Sequence, residues 1–282
     1  MNTTSKSQEP RVNNPFDGAR RRPLAGRWLV CLLPCLLALV WSVRAAEPIR
    51  ALMVAGGCCH DYEAQKKILS EGVSARANVT WTIVHEGTDR THYVRLYTNA
   101  NWAKGFDVVL HNECFGQATN VAFVEGIVRA HSEGGVPAVM LHCSTHSYRF
   151  SSSDEWRKLL GVSSYKHGAK HAFAIANLQP AHPVMKGFPE KWQNQPDELY
   201  QLTKTWPGFV ALGQGVSSKE AEQTVIWLNT YGKSRVFGTT LGHANETMSD
   251  PVYLDLVTRG LLWACDKLNG DGKPKAGYGK QQ

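Results

Sequence analysis

The 282-residue chain is 43% hydrophobic and 20% charged, a balance that suits a folded protein with a sizeable core and excludes a largely disordered one. Its formal charge of +7 is concentrated at one end: residues 1–46 carry seven Lys/Arg and two Asp/Glu, so the remainder is close to +2. A near-neutral remainder leaves no electrostatic footprint for nucleic acid, and its length allows one large domain or two small ones.

Arg20, Arg21, Arg22 and Arg27 form a basic stretch ahead of an almost wholly apolar run, Trp28 to Trp41, followed by Val43-Arg44-Ala45. This is the pattern of a secretory signal covering 1–46, which predicts an exported protein, periplasmic or extracellular. The apolar run is short for a span of about 20 residues, and Pro34 interrupts it. An uncleaved N-terminal membrane anchor is the alternative, and the membrane would be touched only through that segment. Cys31 and Cys35 lie in the signal. Cys58, Cys59, Cys114, Cys143 and Cys265 remain, with no CxxC pair and no disulfide-framework spacing.

Ile49 to Ala55 reads as a buried strand ended by Gly56-Gly57, and Glu63 to Arg76 as a helix. Val79 to Val84 is a second strand. A polar loop leads to a third strand, Phe106 to Leu110. Asn120 caps a helix through His131, Gly134-Gly135 breaks it, and Val136 to Leu141 is a fourth strand. Strands alternating with helices predict an α/β fold with a mostly parallel central sheet and helices on both faces. Residues 170–215 hold short strand-like pieces broken by prolines. Thr224–Asn229 and Arg235–Thr240 flank a hairpin turn at Tyr231-Gly232-Lys233-Ser234. Asp250-Pro251 opens a last helix to about Leu268, and the Gly- and Lys-rich segment 269–282 reads as a disordered tail.

In such sheets ligands gather at the carboxyl ends of the strands, and four polar clusters fall there. Gly56-Gly57-Cys58-Cys59-His60-Asp61 follows the first strand, with Asp61 placed to cap the next helix. His111-Asn112-Glu113-Cys114 follows the third, either as a functional group or as a loop satisfying its own backbone. His142-Cys143-Ser144-Thr145-His146, with Tyr148 and Arg149, follows the fourth. Leu241-Gly242-His243-Ala244-Asn245-Glu246 follows the strand ending at Thr240. Between them Pro196-Asp197-Glu198-Leu199-Tyr200 brings a carboxylate to the start of a strand. Packing alone does not explain a histidine at the end of a buried strand. His60, His142, His146, His243 and Glu198 form a set able to bind a divalent metal such as zinc or to carry acid–base chemistry near neutral pH. The metal ligands expected are His60, His142 and His243. The catalytic group expected is His142, His243 and Glu198, with His60, Asn112, Arg149 and Tyr200 touching substrate. No motif for a nucleotide cofactor is present.

The stretches ALMVAGGCCHDYE, DVVLHNE, GGVPAVMLHCSTHSYR, AHPVMKGF, DELY, YGKSRVFGTTLGH and DPVYLDLVTRGLLWACD together resemble the ThuA-like (trehalose utilisation) family over residues 49–268. The resemblance implies one ThuA-like domain over 47–268 with a class I glutamine amidotransferase-like (flavodoxin-like) fold. It also implies a small carbohydrate ligand, such as a keto-disaccharide or related glycoside, and leaves a homo-oligomer open. In class I amidotransferases the nucleophile sits in a Gly-x-Cys-x-Gly elbow. Counted from Pro137, that position falls on His142, the flanking glycines are missing and Cys143 lies one residue on. His243 matches the catalytic histidine, but Asn245 stands where its glutamate partner belongs, with Glu246 one further. The disrupted triad predicts no glutamine hydrolysis. Two functions remain: metal-assisted or His/Glu acid–base chemistry on the carbohydrate, or non-catalytic carbohydrate binding in a degenerate pocket. Trp102, Trp156, Trp192 and Trp206 are candidates for a sugar-stacking face.

Overall fold

The computed structural model describes residues 46–281, so the signal-peptide reading of the N-terminus lies outside the described residues. The first strand, β1 (Ile49–Gly57), is buried at every position except Arg50. Its side chains alternate between two cores: Ala51 and Met53 pack on one side of the sheet, Leu52 and Val54 on the other. A strand buried on both faces must be central, and β1 pairs in parallel with β2 (Val79–His85) and with β3 (Val108–Cys114). The parallel block continues through β4 (Ala138–Leu141) to β11 (Ser234–Thr239).

Helices cover both faces. α1 (Tyr62–Ser74) and α5 (Pro251–Ala264) supply Leu69, Val73, Tyr253, Val257 and Leu261 to one core. α2 (Val121–Ser132) and α3 (Glu155–Leu160) supply Val124, Ile127, Val128, Trp156 and Leu159 to the other. Three helix starts follow from side-chain caps legible in the sequence. Asp61 accepts from the Ala64 amide at 3.1 Å, Asn120 from Phe123 at 2.9 Å and Asp250 from Val252 at 2.7 Å.

The second half extends the same sheet antiparallel. β10 (Gln223–Tyr231) pairs with β11 through the expected hairpin and with β9 (Val210–Val216); β9 in turn pairs with β6 (Ala174–Asn177), and β6 with β7 (Lys191–Gln193). The order across the sheet is β2-β1-β3-β4-β11-β10-β9-β6-β7. A separate two-stranded ribbon joins β5 (Val162–His167) to β8 (Tyr200–Thr205), and α4 (Asn245–Ser249) precedes α5. Among the described residues no helix is long and apolar enough to cross a membrane.

Two expectations need correction. The segment 269–281 is laid down rather than disordered. The Lys275 amide donates to the Lys267 carbonyl at 2.8 Å, the Asn78 amide to Tyr278 at 3.1 Å, and Gly279 bridges Ala77. Tyr278 packs on the α1/α5 core, so one aromatic anchor outweighs a Gly- and Lys-rich composition. β3 also runs on past Leu110 to Cys114. His111, Asn112 and Glu113 are therefore strand residues, alternating across the sheet, and not a loop at its edge.

Candidate functional site

The carboxyl ends of β1, β4 and β11 bring three histidines to one point. Each is aimed by an unusual backbone. After β1, Gly57 has φ 106°, and a Cβ there would lie 2.4 Å from the Cys114 carbonyl oxygen; the chain then turns to His60. After β4, His142 itself has φ 43° at the head of a short 3₁₀ turn, His142–His146. This is a left-handed conformation that costs a non-glycine residue energy and marks functional positions. His142 thus joins a left-handed backbone to an imidazole at the end of a buried strand. After β11, Gly242 has φ 111°, with the Tyr253 hydroxyl 2.7 Å from where a Cβ would sit. That turn delivers His243.

The ring atoms converge. His60 Nε2 is 3.0 Å from His142 Nε2 and 3.2 Å from His243 Nδ1. Glu198, just ahead of β8, places Oε2 3.5 Å from His142 Nε2 and Oε1 3.3 Å from His243 Nδ1. One ligand atom from each of His60, His142, Glu198 and His243 lies within 4.8 Å of the other three.

Hydrogen-bond partners assign the tautomers. His142 Nδ1 lies 2.6 Å from the Thr240 carbonyl oxygen, an acceptor only, so Nδ1 carries the proton and Nε2 a lone pair. His60 Nδ1 lies 3.0 Å from the Tyr62 hydroxyl, which donates its own proton to the Cys58 carbonyl. His60 Nδ1 is therefore the donor, and its Nε2 also carries a lone pair. With His142 neutral the two rings face each other lone pair to lone pair at 3.0 Å, an arrangement relieved either by a proton on His142 Nε2 or by a metal ion between the rings. Ligand nitrogens around a tetrahedral zinc with bonds of about 2.0–2.1 Å sit roughly 3.3 Å apart. The donor set fits such an ion.

Electrostatics separate the three rings. Burial, then the neighbouring His142 and His243, push the His60 pKa down to about 2. Burial also opposes charge on His142, but Glu198 and Asp197 outweigh it and its pKa is raised. Burial would raise Glu198, yet His142 and His243 hold its carboxyl below the usual range. Glu198 therefore stays ionised, and a proton on His142 is the natural competitor for a metal.

The other expected residues are placed variously. The Tyr200 hydroxyl lies 3.4 Å from His142 Nε2. Arg149 lines a cavity of about 250 Å³ beside the histidines, together with Cys58, Cys59, Arg90, His167, Glu198 and Tyr200. A larger hollow of about 880 Å³ lies at the opposite edge of the sheet, against Arg50, Asp107 and Arg235, and no histidine lines it. Asn112 is 3% exposed and donates to Gln65 Oε1 at 3.2 Å. It faces the sheet's interior rather than a ligand, because β3 extends beyond it. His146 bonds Ser164 Oγ at 2.9 Å and stacks on Tyr200, ring centres 4.0 Å apart; it stands outside the convergent set. Trp102, Trp156 and Trp192 are core residues, Trp206 bonds Ser163 Oγ, and none of the four lines the cavity.

Four features escape sequence reasoning. Asp197, fully buried, accepts from the Gly242 amide at 2.8 Å and the His243 amide at 3.2 Å, pinning the turn that aims His243. Gln65 donates toward the His243 carbonyl at 3.3 Å. His167 Nε2 approaches Glu198 Oε2 at 3.5 Å. The cysteines pair as Cys58–Cys59 and Cys114–Cys143, leaving Cys265 free. Cys143 therefore has no thiol to offer as a nucleophile.

Comparison with known proteins agrees with this architecture. No curated protein sequence matches the chain. Among solved structures, a ThuA-like protein of Parabacteroides merdae superposes with a TM-score of 0.61 at 19% identity, covering 83% of this chain and 98% of its own. One from Bacteroides uniformis gives 0.58 at 16% identity, covering 82% and 97%. A GMP synthase-type protein from Thermoplasma acidophilum gives 0.51 at 10% identity, covering 78% and 96%. At these identities the likeness establishes the fold, which is of the glutamine amidotransferase type. The profile of one family, ThuA, described as trehalose utilisation, matches residues 50–264, and the chain belongs to that family.

Proposed function

We propose that this ThuA-family protein is an exported enzyme that binds a divalent metal, such as zinc, through His60, His142 and His243 and acts on a carbohydrate. The observation that carries the reading is the convergence of three ring nitrogens and a carboxylate: His60 Nε2 lies 3.0 Å from His142 Nε2 and 3.2 Å from His243 Nδ1, with Glu198 beside them. Three neutral protein ligands beside a cavity are the pattern of a catalytic rather than a closed structural site. When bound, the ion supplies Lewis-acid polarisation of a substrate oxygen.

The protein's own groups supply the rest. The Thr240 carbonyl orients His142, and Tyr62 orients His60. Asp197 fixes the backbone that carries His243. Glu198, ionised and lining the cavity, is positioned to take a proton from a carbon or hydroxyl next to a polarised carbonyl. His167, 3.5 Å from Glu198 and partly exposed, can pass that proton to water. A keto-disaccharide, the ligand expected from the resemblance, presents such a carbonyl. Glutamine hydrolysis is not part of the reading, because the nucleophile position holds His142 and the neighbouring sulfur of Cys143 is bonded to Cys114. That same loss favours a second reading, a carbohydrate-binding protein without turnover.

The test is to incubate metal-loaded and metal-stripped protein with oxidised disaccharides and with trehalose, following binding and product formation. Metal-dependent turnover abolished by Glu198→Gln supports the enzyme. Saturable binding without turnover of any of them establishes the second reading. Neither binding nor turnover would remove the carbohydrate from both.

A further inference from the structure

The cavity beside the histidines has a charge pattern that the metal reading does not use. Arg90 and Arg149 both line it. Among the described residues neither is in an ion pair with a carboxylate; the arginines that are paired, such as Arg50 with Asp107 and Arg76 with Asp255, lie elsewhere.

Arg90 rests on the vicinal disulfide, with Nε 3.3 Å from Cys58 Sγ and Nη2 3.7 Å from Cys59 Sγ. Sulfur is a weak acceptor, and these contacts hold the guanidinium without neutralising it. Arg149 donates Nη1 to the Tyr165 carbonyl at 2.9 Å and lies over the Phe150 ring at 5.0 Å. Its Nε is buried without a hydrogen-bond partner. Burial lowers the Arg149 pKa, and the positive charge of Arg90 lowers it further, so the two guanidiniums feel each other. Two planar forks with ten N–H donors between them thus meet three protein acceptors, two of them sulfur.

The floor between them makes no polar demand. Cys58 Sγ touches Cys114 Sγ at 4.0 Å, so the two disulfides form one continuous sulfur surface, backed by Ala55 and Tyr62. Glu198 and His167 offer hydrogen bonds from the same cavity. An apolar patch, polar side groups and two unpaired guanidiniums call for a ligand that is part ring and part anion. Guanidinium forks match carboxylate and phosphate oxygens in geometry as well as charge.

From this we infer that the cavity takes a carbohydrate bearing an oxyanion group, a carboxylate or a phosphate, which Arg90 and Arg149 hold while the sugar ring lies on the disulfide surface. The inference rests on the carbohydrate reading above and sharpens it, from a neutral to an acidic sugar.

The experiment is calorimetric titration of the metal-loaded protein with glucuronate, glucose 6-phosphate, glucose and inorganic phosphate, at low and high salt. It is repeated on Arg90→Gln, Arg149→Gln and Arg149→Lys, each checked for metal content and folding by circular dichroism. The expected result is that at least one acidic sugar binds ten-fold or more tighter than glucose. That preference falls with salt and collapses in both glutamine variants, whose metal content is unchanged, while Arg149→Lys keeps part of it. Glucuronate and glucose 6-phosphate separate the two anion chemistries. Glucose binding as tightly as either acid overturns the inference and leaves the carbohydrate reading standing. Inorganic phosphate binding as tightly as the sugar phosphate, or no sugar binding at all, overturns both. A preference for acids that survives in both glutamine variants assigns the anion to the metal and overturns the role of the arginines.

Discussion

Among the described residues two histidine clusters stand out, one sealed in the core and one half-buried beside a cavity. In the first cluster, His131 Nδ1 donates to the Val136 carbonyl at 2.7 Å, so its Nε2 accepts from His111 Nε2 at 3.2 Å. His111 Nδ1 then meets Glu113 Oε1 at 2.9 Å, and the Tyr97 hydroxyl donates to the same oxygen at 3.1 Å. Every ring nitrogen of this cluster has a partner, and His111, His131 and Glu113 are completely shielded from solvent, with Glu113 Oε2 left without a hydrogen-bond partner. In the second cluster the same kinds of group stand at similar spacings, but three ring nitrogens and Glu198 converge on one point beside a cavity. A closed chain of hydrogen bonds stabilises a core. An open one is a set of ligands. Imidazole count and carboxylate proximity do not tell the two apart; convergence of the ligand atoms beside a cavity does.

The comparison breaks most sharply under substitution. His142→Ala is expected to lose all metal retained through desalting at micromolar protein, with the fold intact. The double variant with His243→Ala should be no worse, because residues that act as a unit are non-additive. Metal analysis of the folded variants checks both. Glu113→Ala strands His111 in the other cluster without its buried partner. It should cost about 3–5 kcal/mol of stability, read by urea unfolding, with metal stoichiometry unchanged. Metal loss in Glu113→Ala at full stability would contradict the division.

Acidity sharpens the same contrast. His60, held near 2, presents no proton above about pH 4. His142, whose pKa is raised from its ordinary value of about 6.5, presents one that the metal must displace. Below that raised value, affinity should therefore fall by about tenfold per pH unit, one proton per ion. Competition titrations between about pH 5 and 8 measure the slope, and a slope of two protons would show that a second ligand imidazole also titrates. The smallest effect is expected at the supports. Gln65→Ala removes the side chain that links Asn112 to the His243 turn and should weaken metal binding by about tenfold, with unfolding midpoints as the control for general destabilisation.

Much of the fold was legible, because the parallel strands read as continuous apolar runs and the helix starts carry Asp or Asn caps. His142 and His243 were legible for a related reason: a polar ring at the end of a buried strand has no packing explanation. Asn112 was misplaced because His111-Asn112-Glu113 looks like a polar loop, whereas pairing with β1 carries β3 through to Cys114. Only tertiary structure shows that Glu113 and His111 satisfy each other. Asp197 and Gln65 were invisible because their partners, Gly242 and His243, lie 45 and more residues away. The Cys114–Cys143 disulfide escaped for the same reason: the two cysteines meet only when β3 and β4 align. The tail was misjudged on composition, since the packing of Tyr278 and a few backbone hydrogen bonds hold it.

The central claim is that the second cluster is a metal site. The most direct test is elemental analysis of the purified protein, stripped with chelator and then reloaded with Zn²⁺ at neutral pH, alongside His142→Ala. The account predicts about one bound ion per chain in the parent and none in the variant. A parent that takes up no ion, or a variant that binds it equally well, would contradict it.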